Sequence, residues 1–209
     1  MASPDDDRTP LDHWNQRFAG EHYHFGTAPN RFLAAHGHLL RPGQRVLAVA
    51  DGEGRNGVWL AEQGLDVHAV DFSPNALAKS RRLAAERGVT MTHEQADLSQ
   101  WTWPDAAFDV VAAIFIQFAG PALRERIFAG MQRALKPGGL LLLEGYRPEQ
   151  LEYRTGGPPH LENLYTEAML RAAFAAMEIT ELSAYDAEVQ EGPGHHGMSA
   201  LIDLVARKR

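Results

Sequence analysis

Gly52, Gly54 and Asp71 are the residues of this chain whose types and spacing point most directly to chemistry. A short apolar strand, Val46–Val49, runs into a turn holding the two glycines, and the turn opens into an amphipathic helix. Without side chains, Gly52 and Gly54 let the backbone bend tightly and press against a ligand. About seventeen residues past Gly54, a second apolar run, Val67–Val70, ends in Asp71. An acid at roughly that distance is placed to accept hydrogen bonds from ribose hydroxyls. The set therefore indicates an adenosine-bearing cofactor at the carboxyl end of a parallel sheet.

A second group could move protons. His195 and His196 lie in the polar, glycine-rich stretch Glu191–Gly197 between two late extended runs, and imidazole titrates near neutrality. A loop there is expected to hang over the carboxyl end of the sheet, as a solvated loop or as part of a substrate site. Tyr146 and Tyr153 flank a long connection and face the same choice between packing and substrate contact. The remaining histidines make no metal site. His36 and His38 are two apart on a helix and point different ways, and His22 and His24 lack a carboxylate at a recognisable distance.

The elements that must hold these residues alternate. After Leu11–Phe18 and a helix from Pro29-Asn30 through Leu40, the spacing predicts strand Val46–Val49 and a helix over Asn56–Gln63. Strand Val67–Val70, a helix from Ser73-Pro74 to Glu86 and a short strand near Thr90–His93 follow. Then come strand Phe108–Phe115, helix Pro121–Leu135, the turn Pro137-Gly138-Gly139 and strand Leu140–Leu143. Helices between strands imply right-handed crossovers and a mainly parallel sheet covered on both faces. The connection Arg147–Leu164 is rich in Gly and Pro, and connections of that length are usually functional or mobile. The late runs Ile179–Ala184 and Ala200–Ala206 have no helix between them and must pair antiparallel. Asp109 and the group Trp101, Trp103 and Phe108 read as structural.

Composition narrows the partners. The chain has 209 residues, enough for one substantial core, and a net charge of -7 that disfavours a nucleic-acid-coating surface. It contains no cysteine, which removes disulfides, thiolate metal sites and cysteine nucleophiles. No stretch is long and apolar enough to cross a bilayer, and the Asp5-Asp6-Asp7 start does not read as a signal peptide, so a cytoplasmic protein is expected. The expected organisation is a disordered acidic tail over residues 1–10 and a single domain over 11–209, of which 11–44 form an N-terminal helical cover.

With these residues in place, the chain resembles the class I S-adenosylmethionine-dependent methyltransferases. The resemblance rests on the glycine turn, Asp71, Gln95-Ala96-Asp97-Leu98, Phe108-Asp109-Val110-Val111 and Leu135-Lys136-Pro137-Gly138-Gly139-Leu140. A further likeness, to small bacterial tellurite-resistance and thiopurine methyltransferase types, is carried by Trp14-Asn15-Gln16-Arg17-Phe18 and Tyr23–Asn30. Gly145-Tyr146, Pro148–Leu151 and Thr155-Gly156-Gly157-Pro158 add to it. The resemblance implies a Rossmann-like, doubly wound α/β fold: a mainly parallel seven-stranded sheet with an antiparallel C-terminal strand and helices on both faces. It also implies S-adenosylmethionine as cofactor. By position, Gly52 and Gly54 would approach its methionine and ribose portions, Asp71 would hold the ribose hydroxyls and Phe72 would lie along the adenine. Asp97 and the amide of Leu98 would read the adenine edge, and Ala113 and Ile114 would line the space near the sulfonium. Trp14, Arg17 and Tyr23 would form the cover.

Two positions depart from the family. Ala48 stands where an acid is usual and Ala50 where the first glycine is usual, so Asp51 or Glu53 is the candidate replacement carboxylate. The implied reaction is in-line methyl transfer to a small-molecule acceptor, such as a thiol or a chalcogen oxyanion, with no nucleic-acid or membrane partner and the oligomeric state open. An acceptor that must lose a proton would use His195 or His196. Two alternatives stay open: a nicotinamide-dependent oxidoreductase, for which Asp71 would serve equally, and a non-catalytic S-adenosylmethionine-binding sensor, motivated by Ala48 and Ala50.

Overall fold

Residues 10–209 are described by a computed structural model. Apart from Pro10, the expected acidic tail lies outside the described residues. The elements run α1 (Pro10–Arg17), α2 (Arg31–Ala35), β1 (Arg45–Val49), α3 (Arg55–Glu62), β2 (Asp66–Asp71), α4 (Pro74–Glu86) and β3 (Thr92–Gln95). They continue with β4 (Phe108–Ile114), α5 (Pro121–Ala134), β5 (Leu135–Tyr146), α6 (Gln150–Tyr153), α7 (Glu167–Ala173), β6 (Met177–Gln190) and β7 (His196–Lys208).

The strands form one sheet in the order β3-β2-β1-β4-β5-β7-β6. The first five pair in parallel, and β7 runs against both β5 and β6. A seventh strand inserted antiparallel beside β5 departs from the all-parallel dinucleotide fold with strand order 3-2-1-4-5-6. This topology weakens the oxidoreductase alternative.

Alternation along the central strands divides the core. Leu47 and Val49 face a layer with Val111, Leu141 and Phe128, while Val46 and Ala48 face the other side with Val110 and Leu60. Burial on both faces explains why β1, β4 and β5 read as continuous apolar runs. Local signals fix the helix ends. Ser73 Oγ accepts from Ala76 N at 3.2 Å ahead of Pro74, and Asn30 Oδ1 accepts from Leu33 N at 2.9 Å. Both caps are of the preferred residue types.

Several boundaries differ from expectation. The helix after Asn30 stops at Ala35 and tightens into a 3-10 turn over His36–Leu39. Pro137-Gly138-Gly139 does not end a helix in free space but bulges within β5: Phe108 pairs with Leu135, and Val110 with Leu140. The last two strands are much longer than the apolar runs that announce them, because β6 is a half-polar edge strand without clean alternation. Helix α7 was not anticipated, although Thr166 caps it by accepting from Met169 N at 3.2 Å. The Arg147–Leu164 connection carries α6 and a short 3-10 turn.

Candidate active site

The carboxyl ends of β1, β2, β3 and β4 open on one side of the sheet, and the glycine turn lies there. Gly52 and Gly54 have φ of +60° and +91°, which side chains disfavour. A Cβ on Gly54 would overlap Ser80 of α4, whereas one on Gly52 would meet only Phe18 of the cover, at 3.9 Å. Gly54 thus allows close packing, and Gly52 leaves backbone facing the cover. Ala50 has φ +49°, so an alanine at the first glycine position carries steric strain. Ala48, where an acid is usual, is buried with Val46 in the core.

Asp71 locks the turn to β2. Its Oδ2 accepts from Gly52 N and its Oδ1 from Ser73 N, both at 2.8 Å. Burial raises its carboxyl above the ordinary range, against the lowering effect of these amides. The Phe72 amide works in the same direction, and a carboxylate with about four acceptor positions has room for a hydroxyl donor beside these three amides. At the end of β3, Asp97 Oδ1 accepts from Ser99 N at 2.9 Å, and its bonds to Ser99, the largest influence, hold it below the usual value and ionised. Leu98 and Ala113 are buried, and Phe72 and Ile114 are partly exposed at the same strand ends.

The two replacement carboxylates behave differently. Asp51 accepts from Gly57 N at 3.0 and 3.2 Å at the start of α3. Burial pushes its carboxyl up to about 7, the Gly57 amide works against this, and the nearby Asp71 charge adds to it. A Cβ on Gly57 would overlap that carboxylate. Glu53, in contrast, is committed elsewhere. Its Oε1 pairs with Lys79 Nζ at 2.7 Å, and its Oε2 accepts from His24 N and Phe25 N at 2.7 and 3.2 Å. Glu53 therefore holds the cover down, and Asp51 is the carboxylate left facing the strand ends.

The cover is built from α1 and the segment after it. Trp14 stacks on Phe18 with centroids 5.9 Å apart, and the Arg17 guanidinium lies 4.9 Å over the Trp14 ring. Asn15 Oδ1 accepts from Ser73 Oγ and Asn75 N, pinning α1 over the end of β2. Tyr23 sits further out and donates its hydroxyl to Lys79 O at 3.2 Å, clamping the cover to α4. Two open surface depressions, beside Arg124 and Met169 and beside Arg81 and His93, lie away from these strand ends.

At the ends of β4 and β5 a ring cluster adjoins this turn. His195 is only 7 % exposed, and its ring lies 4.5 Å from Phe25, 4.4 Å from Phe115 and 5.9 Å from Tyr146. Burial lowers its pKa, Glu191 raises it, and Arg55 and His24 lower it further. The net result is a neutral imidazole. Phe115 adopts φ +55°, an outlier for a bulky residue, which often marks a functional position. Tyr146 is buried, and its Oη has no hydrogen bond of ordinary geometry among the described residues.

The other proton-transfer and substrate candidates do not join the cluster. His196 is the exposed first residue of β7, on the opposite side of the chain from its neighbour. Tyr153 spends its hydroxyl on Asp186 of β6 at 3.0 Å.

A buried polar network beneath the cluster went unread in the sequence. Arg55 Nη1 meets Glu191 Oε2 at 2.7 Å, with both side chains 7 % exposed. Asn30 Nδ2 donates to Glu144 and, at 3.2 Å, to Glu191 Oε1. Burial works to raise Glu191, but the His195 ring, Arg55 and the Arg31 amide overcome it and hold the carboxyl at about 2. Burial and the facing Asp203 and Glu191 raise Glu144. Asp203, opposite it on β7, is pushed up to about 6 by burial, while bonds with Tyr185 and Glu144 oppose the rise. These contacts join distant segments, and no local motif announces them.

The residues present fit a cationic, adenosine-bearing ligand. The Gly52 backbone is open toward the cover, Asp71 and Asp97 offer acceptors at two neighbouring strand ends, and Asp51 carries a carboxyl that a cation would help to ionise. Among the described residues no group of three or more His, Asp or Glu could hold a metal ion, and no helix is long and apolar enough to cross a membrane.

Comparison with known proteins agrees with this geometry. Residues 46–139 match a family model described as a methyltransferase domain. A demethylmenaquinone methyltransferase of Renibacterium salmoninarum is 34% identical over 148 residues, covering 69% of this chain and 56% of that protein. The chain spans about half the length of the first curated relatives it matches. Among solved structures, TehB from Haemophilus influenzae superposes with a TM-score of 0.71 at 16% identity, covering 95% of this chain and 67% of that one. A protein from Methanosarcina mazei described as a SAM-dependent methyltransferase gives 0.70 at 18% identity, covering 87% and 98%. At these identities the two structures bear on fold alone.

Proposed function

On the premise that this chain carries a class I, S-adenosylmethionine-dependent methyltransferase domain, we propose that it transfers a methyl group to a small-molecule acceptor. The observation that carries the reading is the Asp71 carboxylate bonded to Gly52 N at 2.8 Å. That bond makes the close-approach turn and the ribose-holding acid one unit.

When bound, S-adenosylmethionine supplies an electrophilic methyl carbon beside a good leaving group. The protein's own task is mainly to orient and to exclude water. In this reading Asp71 and Asp97 hold the ribose and adenine, with Phe72 and the Leu98 amide beside them. Gly52, Gly54 and Asp51 receive the amino-acid end, with Ala113 and Ile114 near the sulfonium. Residues 11–44 form the cover of a single domain, with Trp14 and Arg17 over the site and Tyr23 and Glu53 fastening it down. His195, not His196, is the candidate base, and Tyr146 lines the acceptor side.

Two likenesses guide the choice of acceptor. The tellurite-resistance and thiopurine likeness read from Trp14–Phe18 and Tyr23–Asn30 suggests chalcogen or thiol acceptors, and the Renibacterium relative, named a demethylmenaquinone methyltransferase, adds a demethylmenaquinone analogue. A screen of thiols, chalcogen oxyanions, phenols, amines and that analogue with radiolabelled methyl donor tests the reading. Labelled product is expected from at least one class. Tight NADH binding without affinity for the sulfonium compound would favour the oxidoreductase, and donor binding without turnover the sensor.

A further inference from the structure

We infer that Glu191 is the positioning residue for His195, and that the acceptor is a protic small molecule, a thiol or a phenol, whose proton passes to the His195 ring. The inference rests on the methyltransferase reading and narrows its acceptor.

The loop between β6 and β7 is built to hold one ring. Glu191 N donates to His195 O at 2.8 Å, His195 N to Gly192 O at 3.2 Å, and Gly194 N to His24 O of the cover at 2.9 Å. The Glu191 carboxylate is fixed from three sides. Arg55 Nη1 lies 2.7 Å from Oε2, while Arg31 N at 3.0 Å and Asn30 Nδ2 at 3.2 Å donate to Oε1. His195 Nδ1 is 3.9 Å from Glu191 Oε2, too far for a hydrogen bond, and it has no other partner among the described residues. A buried ring nitrogen without a partner, facing an immobile carboxylate, needs a movement of about 1 Å to be satisfied. Catalytic hydrogen bonds are often long before substrate binds. Once formed, the bond fixes the proton on Nδ1 and leaves the lone pair on Nε2.

The surroundings select the acceptor. Phe25, Phe115 and Tyr146 are the rings against His195, and the cationic side chain facing it is Arg55. Arg55, the nearest guanidinium in this network, is already neutralised by Glu191. An acceptor that arrives as an anion would rely on the donor's own sulfonium for its counter-charge in this box, whereas a neutral flat thiol or phenol would not need one. The acceptor's S–H or O–H bond breaks and its proton goes to His195, while its electron pair forms the bond to the methyl carbon. The carbon–sulfur pair leaves with the donor sulfur, so one positive charge disappears there as another appears on imidazolium, beside Glu191.

The test uses Glu191→Gln and His195→Gln in the full chain. The charged and titratable groups facing the ring are Glu191 on its own loop, Arg55 from α3, His24 from the cover and Tyr146 from β5. NMR titration of the 15N-labelled His195 ring without donor should show the midpoint falling by about one unit or more in Glu191→Gln. With benzyl mercaptan and with phenol as acceptors, Glu191→Gln should lower kcat/KM by about 10- to 100-fold, and His195→Gln by about 100-fold or more. The acid limb of the pH profile should move to lower pH in Glu191→Gln, while donor affinity by calorimetry holds. A merely structural role would lower the rate at every pH and leave the limb in place. An unmoved ring midpoint and limb, or faster methylation of tellurite than of both protic probes, overturns the inference. If Glu191→Gln does not fold, Glu191→Asp takes its place: the retained charge should keep the limb while the shorter arm lowers the rate, and a wild-type rate overturns the inference. Absent donor binding by the wild type would instead refute the methyltransferase reading itself.

Discussion

Replacing Asp51 with asparagine probes how the glycine turn stores charge. The carboxyl is pushed up to about 7 from 3.8, chiefly by burial and against the Gly57 amide. An unfolded chain ionises this group near its ordinary value, so between about pH 4 and pH 7 the folded state holds a proton that the unfolded state has lost. The sign follows: stability falls as pH rises through that window, and the full penalty is present above about pH 7. About three units at 1.36 kcal/mol each set an upper limit of about 4 kcal/mol. Asp51 keeps some contact with water, so about 2 kcal/mol is the expected effect. Asparagine can keep the bond to Gly57 N with its amide oxygen and carries no charge. Urea unfolding at matched slope should therefore show Asp51→Asn more stable than wild type by about 2 kcal/mol at pH 8. The gap should shrink steadily toward pH 5. The variant should also bind the cationic donor more weakly, since the stored repulsion is what a cation relieves. A gap independent of pH, or a variant less stable at pH 8, would refute the reasoning.

Other perturbations test neighbouring contacts. Lys79→Met strands Glu53 as an unpaired buried charge, and chemical denaturation should show a loss of about 3–5 kcal/mol. Adding Glu53→Gln should recover part of that loss. Ala50→Gly relieves a backbone at φ +49°, and a gain of up to about 1 kcal/mol in unfolding free energy is expected after glycine's greater entropy loss is counted. Gly57→Ala places a methyl group on the Asp51 carboxylate, so a loss of about 1–3 kcal/mol should appear in the melt together with weaker donor binding by calorimetry.

Legibility in the sequence followed the range of the interaction. The turn, Asp71 and the capped helix at Ser73-Pro74 were readable because a strand, a turn and a cap are local, and one residue type dominates each. Which of two adjacent histidines turns inward was not, because it depends on where β7 begins. Glu53 and Asp51 look equivalent in the string, and only Lys79 and the His24–Phe25 amides, brought in by folding, separate them. The Arg55–Glu191 pair joins the start of α3 to the last loop with no intervening pattern. The long edge strand β6 escaped because an edge needs no continuous apolar face. Thr166 was a visible cap for α7, but the apolar content after it is too short to impose a period.

Titration calorimetry of the full chain with S-adenosylmethionine, repeated in Asp71→Ala, is the most direct check on whether turn and strand-end acids form a single adenosyl-sulfonium pocket. Saturable one-to-one binding by the wild type, weakened at least about 100-fold without the Asp71 carboxylate, is the predicted result. Equal affinity in both proteins, or no heat at saturating donor alongside tight NADH binding, would contradict it.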